Sequence, residues 1–430
     1  MIMADIITMP NGLRICYENK DSLSCAFGVF VDAGSRNESA EKNGIAHFIE
    51  HMTFKGTQTR TAFDIADETD MMGATCNAYT SKTATVYYIT GLNKFAERYV
   101  ELLGDLLFCS TYTDDNIEKE RGVVLEEIHM YDDDGDSLSA DLLSKVYFGE
   151  GCSLSRPILG TAKTVKKLKR KDILDFRKKW YRPENIVLSF VGDIPQETFI
   201  GYVEKYFSAR IPKDKTPFAP YVSDEGKVFS TYASLKKPYE QASVTMRMPS
   251  PGYVGGNYFA PFLLANMLGG GMSSRLFQKV REEMGLVYEI YSTNVMRKGG
   301  GNFDIFFATS PKNARSAVEA IGEITAEALE GGFSETELTK TRNQYETSMV
   351  LSDESAFDRM RTMGKELLLK GALTPTKEQI KTMLSVSLDD IRETAKNILG
   401  NGNVSVSYVG KNPEEDLLQT YLNCLGSGSR

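Results

Sequence analysis

Residues 47–51 read "HFIEH": two histidines four apart, with a glutamate directly before the second, in a chain that holds only three histidines. On a helix, residues four apart lie on one face, so His47 and His51 present two imidazoles to one point. A zinc ion with nitrogen ligands requires that arrangement. Glu50 follows His47 by three residues and sits beside the pair, where it reaches a water on the metal without filling a coordination position. Phe48 and Ile49 face away, toward a core. Asn43 is placed to cap the helix, with Gly44 in its first turn.

A catalytic zinc takes three protein ligands and leaves one position for water. No third histidine near the pair serves, so the third ligand must be a carboxylate. The stretch "EKERGVVLEEIHMYDDD" (118–134) offers several. Glu120 and Glu127 are seven apart, two helical turns, and share one face next to an apolar "VVL". Glu126 points elsewhere. His129, two residues after Glu127, is nearly opposite on the helix, so the two could not bind one ion. Glu127 is the expected ligand, and Glu120 the carboxylate that orients a ligating imidazole.

The whole chain sets the frame around this motif. Its 430 residues suggest two domains of about 200 each, and 41% hydrophobic with 25% charged residues is an ordinary globular composition. A formal charge of −8 argues against a nucleic-acid surface. No apolar run approaches the roughly 18 residues that would span a bilayer, so no membrane partner is expected. The opening "MIMADIITMPNGLRICYENK" has neither the charge pattern nor the cleavage site of a signal peptide. Six scattered cysteines (Cys16, Cys25, Cys76, Cys109, Cys152, Cys424) form no metal or disulfide pattern. Both features lead to the expectation of a cytoplasmic protein. The terminal "GSGSR" suggests a flexible tail from residue 426.

Two halves with the same order of elements flank the proline-containing stretch 208–226. The first runs from an alternating strand, "CAFGVFVDAG" (25–34), through the histidine helix to a hairpin pattern at 75–92, and then a helical pair. The second runs from "QASVTMRMPSPG" (241–252) through "YFAPFLLANMLGGG" (258–271) to a strand-like 288–310 and a helical 334–350. Laying "HFIEHM" on "FLLANM" puts Asn266 opposite His51 and no ligand opposite His47 or Glu50, so only the first half is expected to bind metal. Domains are expected at 1–212 and 213–425. The basic run 165–181 reads as a solvated helix whose core face carries Leu168, Ile173, Leu174 and Phe176.

"HFIEH" is also the inverted zinc motif H-x-x-E-H. Together with "NGIAHFIEHMTFKGT", "EKERGVVLEEI", the 75 residues between His51 and Glu127, "GATCNAYTSKTATVYYITGL" and "SSRLFQKVREEMGLVYEIYS", the chain resembles the insulinase/pitrilysin family of zinc metallopeptidases. It is most similar to the two-domain branch that includes mitochondrial processing peptidase and its bacterial relatives. The resemblance implies an α+β fold: two homologous domains, each a mixed or mainly antiparallel sheet packed with helices, arranged as a half clamshell around a cavity for unfolded peptides. It implies zinc held by His47, His51 and Glu127, Glu50 as general base and Glu120 as helper carboxylate. Arg281 and Tyr288 match the pair that reaches toward the metal, and Asn77, Ala78 and Tyr79 match the edge strand that binds extended peptides. It further implies a homodimer, or a heterodimer with an inactive homologue. The function expected is zinc-dependent endopeptidase action on presequence, leader or degradation peptides. The alternative is a non-catalytic peptide-binding subunit of a processing peptidase.

Overall fold

The computed structural model describes residues 4–211, 218, 220, 227–253, 258–413 and 416–427. The chain divides into two compact units. The first comprises Met1–Ile128, Arg156–Val222 and Val350–Thr376, and the second His129–Ser155, Ser223–Met349 and Lys377–Arg430.

In the first unit six strands form one sheet: β1 (Asp5–Thr8), β2 (Arg14–Asn19), β3 (Ser24–Val31), β4 (Thr75–Thr80), β5 (Thr85–Leu92) and β6 (Ile186–Gly192), in the order β1-β2-β6-β3-β5-β4. Only the β2–β6 pair is parallel. The hairpin pattern at 75–92 is therefore β4 and β5, with β4 at the sheet edge. Nearly every residue of β3 is buried, because both faces of the sheet are covered. Phe27, Val29 and Val31 enter a core with α1 (Ile45–Thr53) and α3 (Ala96–Cys109), while α2 (Ala62–Met71) is largely exposed. Ala26 and Phe30 point the other way, into a second cluster with Cys16, Val86, Val187 and Val191.

What covers that second face comes from far along the chain. The helix Ala356–Lys370 lays Ala356, Met360, Met363, Leu367 and Leu368 on it, all buried. Each large side chain buried there contributes roughly 1.5–3 kcal/mol. Close approach depends on Gly364, where an added Cβ would lie 2.1 Å from the Phe30 ring. In the other direction, α4 (Asp114–Asp132) is followed by α5 (Gly135–Phe148), which belongs to the second unit. A single cut between 212 and 213 thus fails to separate the units: the halves exchange a helix, because each sheet's outer face needs the helix supplied by the other half. Most of the stretch 208–226 lies outside the described residues.

The second unit repeats the first. Its strands β7 (Tyr232–Lys236), β8 (Ala242–Ser250), β9 (Val287–Met296), β10 (Gly301–Thr309) and β11 (Ser405–Gly410) are ordered β7-β11-β8-β10-β9, with only β7–β11 parallel. Once β1 is set aside, the two sheets match strand for strand. The expected α+β duplication is therefore present. Here the outer face is polar, and α5 meets it through hydrogen bonds: Ser243 to Asp136 at 2.6 Å, and Ser139 with Thr245 and Ser407 at 2.9 Å each. Arg247 is buried with Asp304 and also donates to Ser144 at 3.0 Å.

Two smaller expectations change. The helix Leu417–Ser427 runs into the stretch read as tail, and 428–430 lie outside the described residues. On the basic helix Arg170–Trp180, Ile173, Phe176 and Trp180 face inward, whereas Leu174 is at the surface.

Candidate metal centre

The site is built by two helices of the first unit. Helix α1 is apolar on its inner face, burying Phe48, Ile49 and Met52, and this fixes its rotation so that His47, Glu50 and His51 point the other way. Its start differs from expectation. The residue that begins it is Gly44, at φ +96°, a conformation that costs a residue with a Cβ dearly; an added Cβ would also lie 2.5 Å from the Leu159 carbonyl oxygen. Asn43 does not cap the helix. The acceptor comes instead from the buried Glu38 carboxylate, which takes hydrogen bonds from the Gly44 and Ala46 N–H groups and from the Asn43 amide, each at 2.8 Å. Burial pushes the Glu38 carboxyl up to about 7 against those donors.

Helix α4 brings its carboxylates alongside. Glu127 Oε2 lies 3.6 Å from His47 Nε2 and 3.4 Å from His51 Nε2, and the three donor atoms fall within 4.8 Å of one another. Donors held tetrahedrally by zinc at ~2.0–2.2 Å sit roughly 3.3–3.6 Å apart, so these side chains fit that ion. Glu127 Oε2 is buried and makes no hydrogen bond among the described residues, which suits an atom waiting for a cation. Glu120, on the same face two turns earlier, accepts from His51 Nδ1 at 2.8 Å, which directs Nε2 toward Glu127. Lys55 pairs with the other Glu120 oxygen at 2.8 Å. Glu126 and His129 are exposed, as their helical phase predicts.

The two imidazoles titrate in opposite directions when no metal is bound. Burial, and then the neighbouring His51, push His47 down to about 4. Burial also works against charge on His51, but its hydrogen bond to Glu120 and the Glu127 carboxylate outweigh it and push His51 up to about 9. The adjacent His51, and then His47, outweigh burial and hold the Glu127 carboxyl below the usual range. Burial raises Glu50; the Thr80 hydroxyl, which donates to Glu50 Oε2 at 2.5 Å, and His51 pull it back, while Glu127 adds to the rise.

Residues 14–162 match the family model "Insulinase (Peptidase family M16)". An uncharacterized zinc protease of Bacillus subtilis, YmxG, is 36% identical over 392 residues, covering 91% of this chain and 94% of that protein. The chain belongs to the insulinase (M16) peptidase family. An uncharacterized zinc protease of Mycobacterium bovis is 31% identical over 395 residues, covering 91% of this M16 chain and 90% of that protein. Two crystal structures share the M16 fold. A Helicobacter pylori protease has TM-score 0.89 at 21% identity, covering 95% of this chain and 100% of that one. A peptidase M16 inactive domain from Pseudomonas fluorescens has TM-score 0.87 at 19% identity, covering 96% and 99%.

Within this M16 chain, residues 167–345 match the model "Peptidase M16 inactive domain". They include Arg281 and Tyr288, which lie together, the guanidinium 5.8 Å from the tyrosine ring centroid and 4.6 Å from that of Phe277. Tyr288 is the second residue of edge strand β9 and is 71% exposed. On edge strand β4, Asn77 and Tyr79 are exposed, while Ala78 packs against the core. Glu38, Lys55 and Thr80 were not foreseen. Lys55 carries a local signal, lying four residues after His51; Glu38 and Thr80 reach the site only through tertiary structure.

Proposed function

We propose that this M16 chain is a zinc endopeptidase that cleaves unfolded peptides. The observation that carries the reading is the convergence of His47 and His51 of α1 with Glu127 of α4, whose Oε2 lies 3.6 and 3.4 Å from the two Nε2 atoms, with Glu50 on the same helix as the histidines. Zinc held by these three would supply the Lewis acidity that polarises a scissile carbonyl and makes a water easier to deprotonate. Glu50, ionised, takes the proton from the attacking water and passes it to the leaving amine. Glu120, backed by Lys55, keeps the His51 ring in the orientation and tautomer that leave Nε2 free to ligate. Arg281 and Tyr288, which match the family's arginine–tyrosine pair, are the residues we assign to hydrogen-bonding the substrate.

The outer edge of β4 takes the substrate as an added strand, with Asn77, Ala78 and Tyr79 lining it. Its place at the end of the sheet order supports this. Presequences, leader peptides and degradation products are the substrate classes such a site suits. A homodimer, or a pairing with an inactive homologue, completes the reading. No helix among the described residues is long and apolar enough to cross a membrane, and none of the six cysteines forms a disulfide. Both fit a cytoplasmic setting.

The alternative, a non-catalytic peptide-binding subunit, calls for a broken ligand set, and here His47, Glu50, His51 and Glu127 are all in place. Glu50→Gln tests the choice. It preserves shape and zinc but removes the proton acceptor, so hydrolysis of a peptide library should fall by roughly 10²–10⁴. Wild-type protein that binds peptides with zinc present yet cuts none would favour the alternative.

A further inference from the structure

We propose that Thr80 is a positioning residue for the general base, an inference that rests on the assignment of Glu50 to that role. Thr80 Oγ1 donates to Glu50 Oε2 at 2.5 Å. With Oε2 occupied by a donor, Oε1 is the oxygen left to accept the water's proton. A glutamate has three side-chain torsions, and α1 fixes none of those beyond Cβ. The hydroxyl supplies the missing constraint.

Thr80 is well placed to act as a fixed point. It is the last residue of β4, directly opposite Thr85 on β5. The turn that follows is tied down twice. Ser81 N–H donates to Ala84 O at 2.8 Å, and the Ser81 and Lys82 carbonyls accept from Ser35 and Arg36 N–H at 3.1 and 2.9 Å. A β-branched side chain on a strand has restricted χ1, so the hydroxyl direction follows from the backbone. The strand proposed to seat the peptide therefore ends in the residue that orients the base. Substrate register and proton acceptor are referenced to the same piece of backbone, which is how a reacting geometry is held to within a fraction of an ångström.

Thr80→Val removes the hydroxyl and keeps the shape; Thr80→Ser keeps the hydroxyl. We expect Thr80→Val to lower kcat on a zinc-loaded peptide assay by roughly tenfold or more, the scale of one hydrogen bond to a charged group. KM and zinc content should stay at wild-type values, and Thr80→Ser should recover most of the loss. A second readout needs no turnover. In the metal-free protein, Thr80→Val should lower the melting midpoint by roughly 2–4 °C, and by clearly less in a Glu50→Ala background, because the partner is already gone. Wild-type kcat in Thr80→Val, an equal loss in Thr80→Ser, or the same midpoint shift in both backgrounds would overturn the inference. Glu50→Gln, assayed alongside, separates the failures. An inactive Glu50→Gln beside a fully active Thr80→Val sinks only the role of Thr80, whereas an active Glu50→Gln sinks the base assignment itself.

Discussion

In the first unit α1 lies against α4; in the second, the helix Phe259–Gly269 lies against the helix Glu335–Glu354. Counted from their starts, Thr341 and Ser348 hold the seventh and fourteenth places that Glu120 and Glu127 hold in α4. The 2.8 Å hydrogen bond from His51 to Glu120 becomes one of 3.2 Å between Thr341 Oγ1 and Asn266 Oδ1. Arg121, which donates to the Val165 and Leu168 carbonyls, has its counterpart in Arg342, which donates to Val386. What differs is the ligand set: Phe262 stands for His47, Asn266 for His51 and Ser348 for Glu127. The duplicated helix pair therefore preserves its hydrogen bond and its arginine anchor without the three side chains proposed as zinc ligands. Scaffold and site are separable, and three side chains make the difference.

Giving the first pair the residues of the second should erase the difference between them. His47→Phe or His51→Asn should abolish zinc retention, taking elemental analysis from about one ion per chain to none. Unchanged zinc in the His51 variant would place the metal elsewhere. Glu120→Gln is milder, because it disturbs the orientation of His51 rather than a ligand. Zinc affinity should weaken by roughly 10–100-fold, measured by chelator competition.

Protonation sharpens the contrast, since the second pair has no imidazole. At pH 7 the metal-free protein holds His51 as the imidazolium, its pKa pushed up to about 9, and His47 as the neutral imidazole, its pKa pushed down to about 4. Zinc uptake should then release about one proton, detectable by calorimetry in buffers of different ionisation enthalpy, and the release should fade above pH 9. The stability of the metal-free protein follows from the same shifts. The contribution of His51 is full below the ordinary value of 6.5 and is lost as pH rises through about 9. That of His47 is present above 6.5 and is lost as pH falls toward 4. The smallest effect belongs to the second pair. Thr341→Val should cost about 1 kcal/mol in denaturant unfolding and leave zinc content untouched.

The first pair was legible because its information is local. An i, i+4 histidine pair and an i, i+7 glutamate pair define helix faces from spacing alone, and the packing of Phe48 and Ile49 then turns the right face outward. The duplication was legible from the recurring order of strand and helix patterns, whereas β1, β2, β6, β7 and β11, and hence the strand order, were not read. Three other things were not legible. The helix Ala356–Lys370 announces an apolar face through Met360, Met363 and Leu367, but nothing local says which sheet that face covers. The cap of α1 looked like Asn43, yet the left-handed backbone at Gly44 brings in Glu38 as the acceptor. Thr80 reads as an ordinary strand residue until the sheet brings its hydroxyl to Glu50.

One helix pair, and not its duplicate, forms the metal centre we propose. Anomalous scattering at the zinc edge from crystals grown with zinc tests it most directly. A single peak is expected within bonding distance of His47 Nε2, His51 Nε2 and Glu127 Oε2, and none beside Asn266 and Thr341. A peak lacking any of those three ligands, or one of equal height beside the second pair, would contradict it.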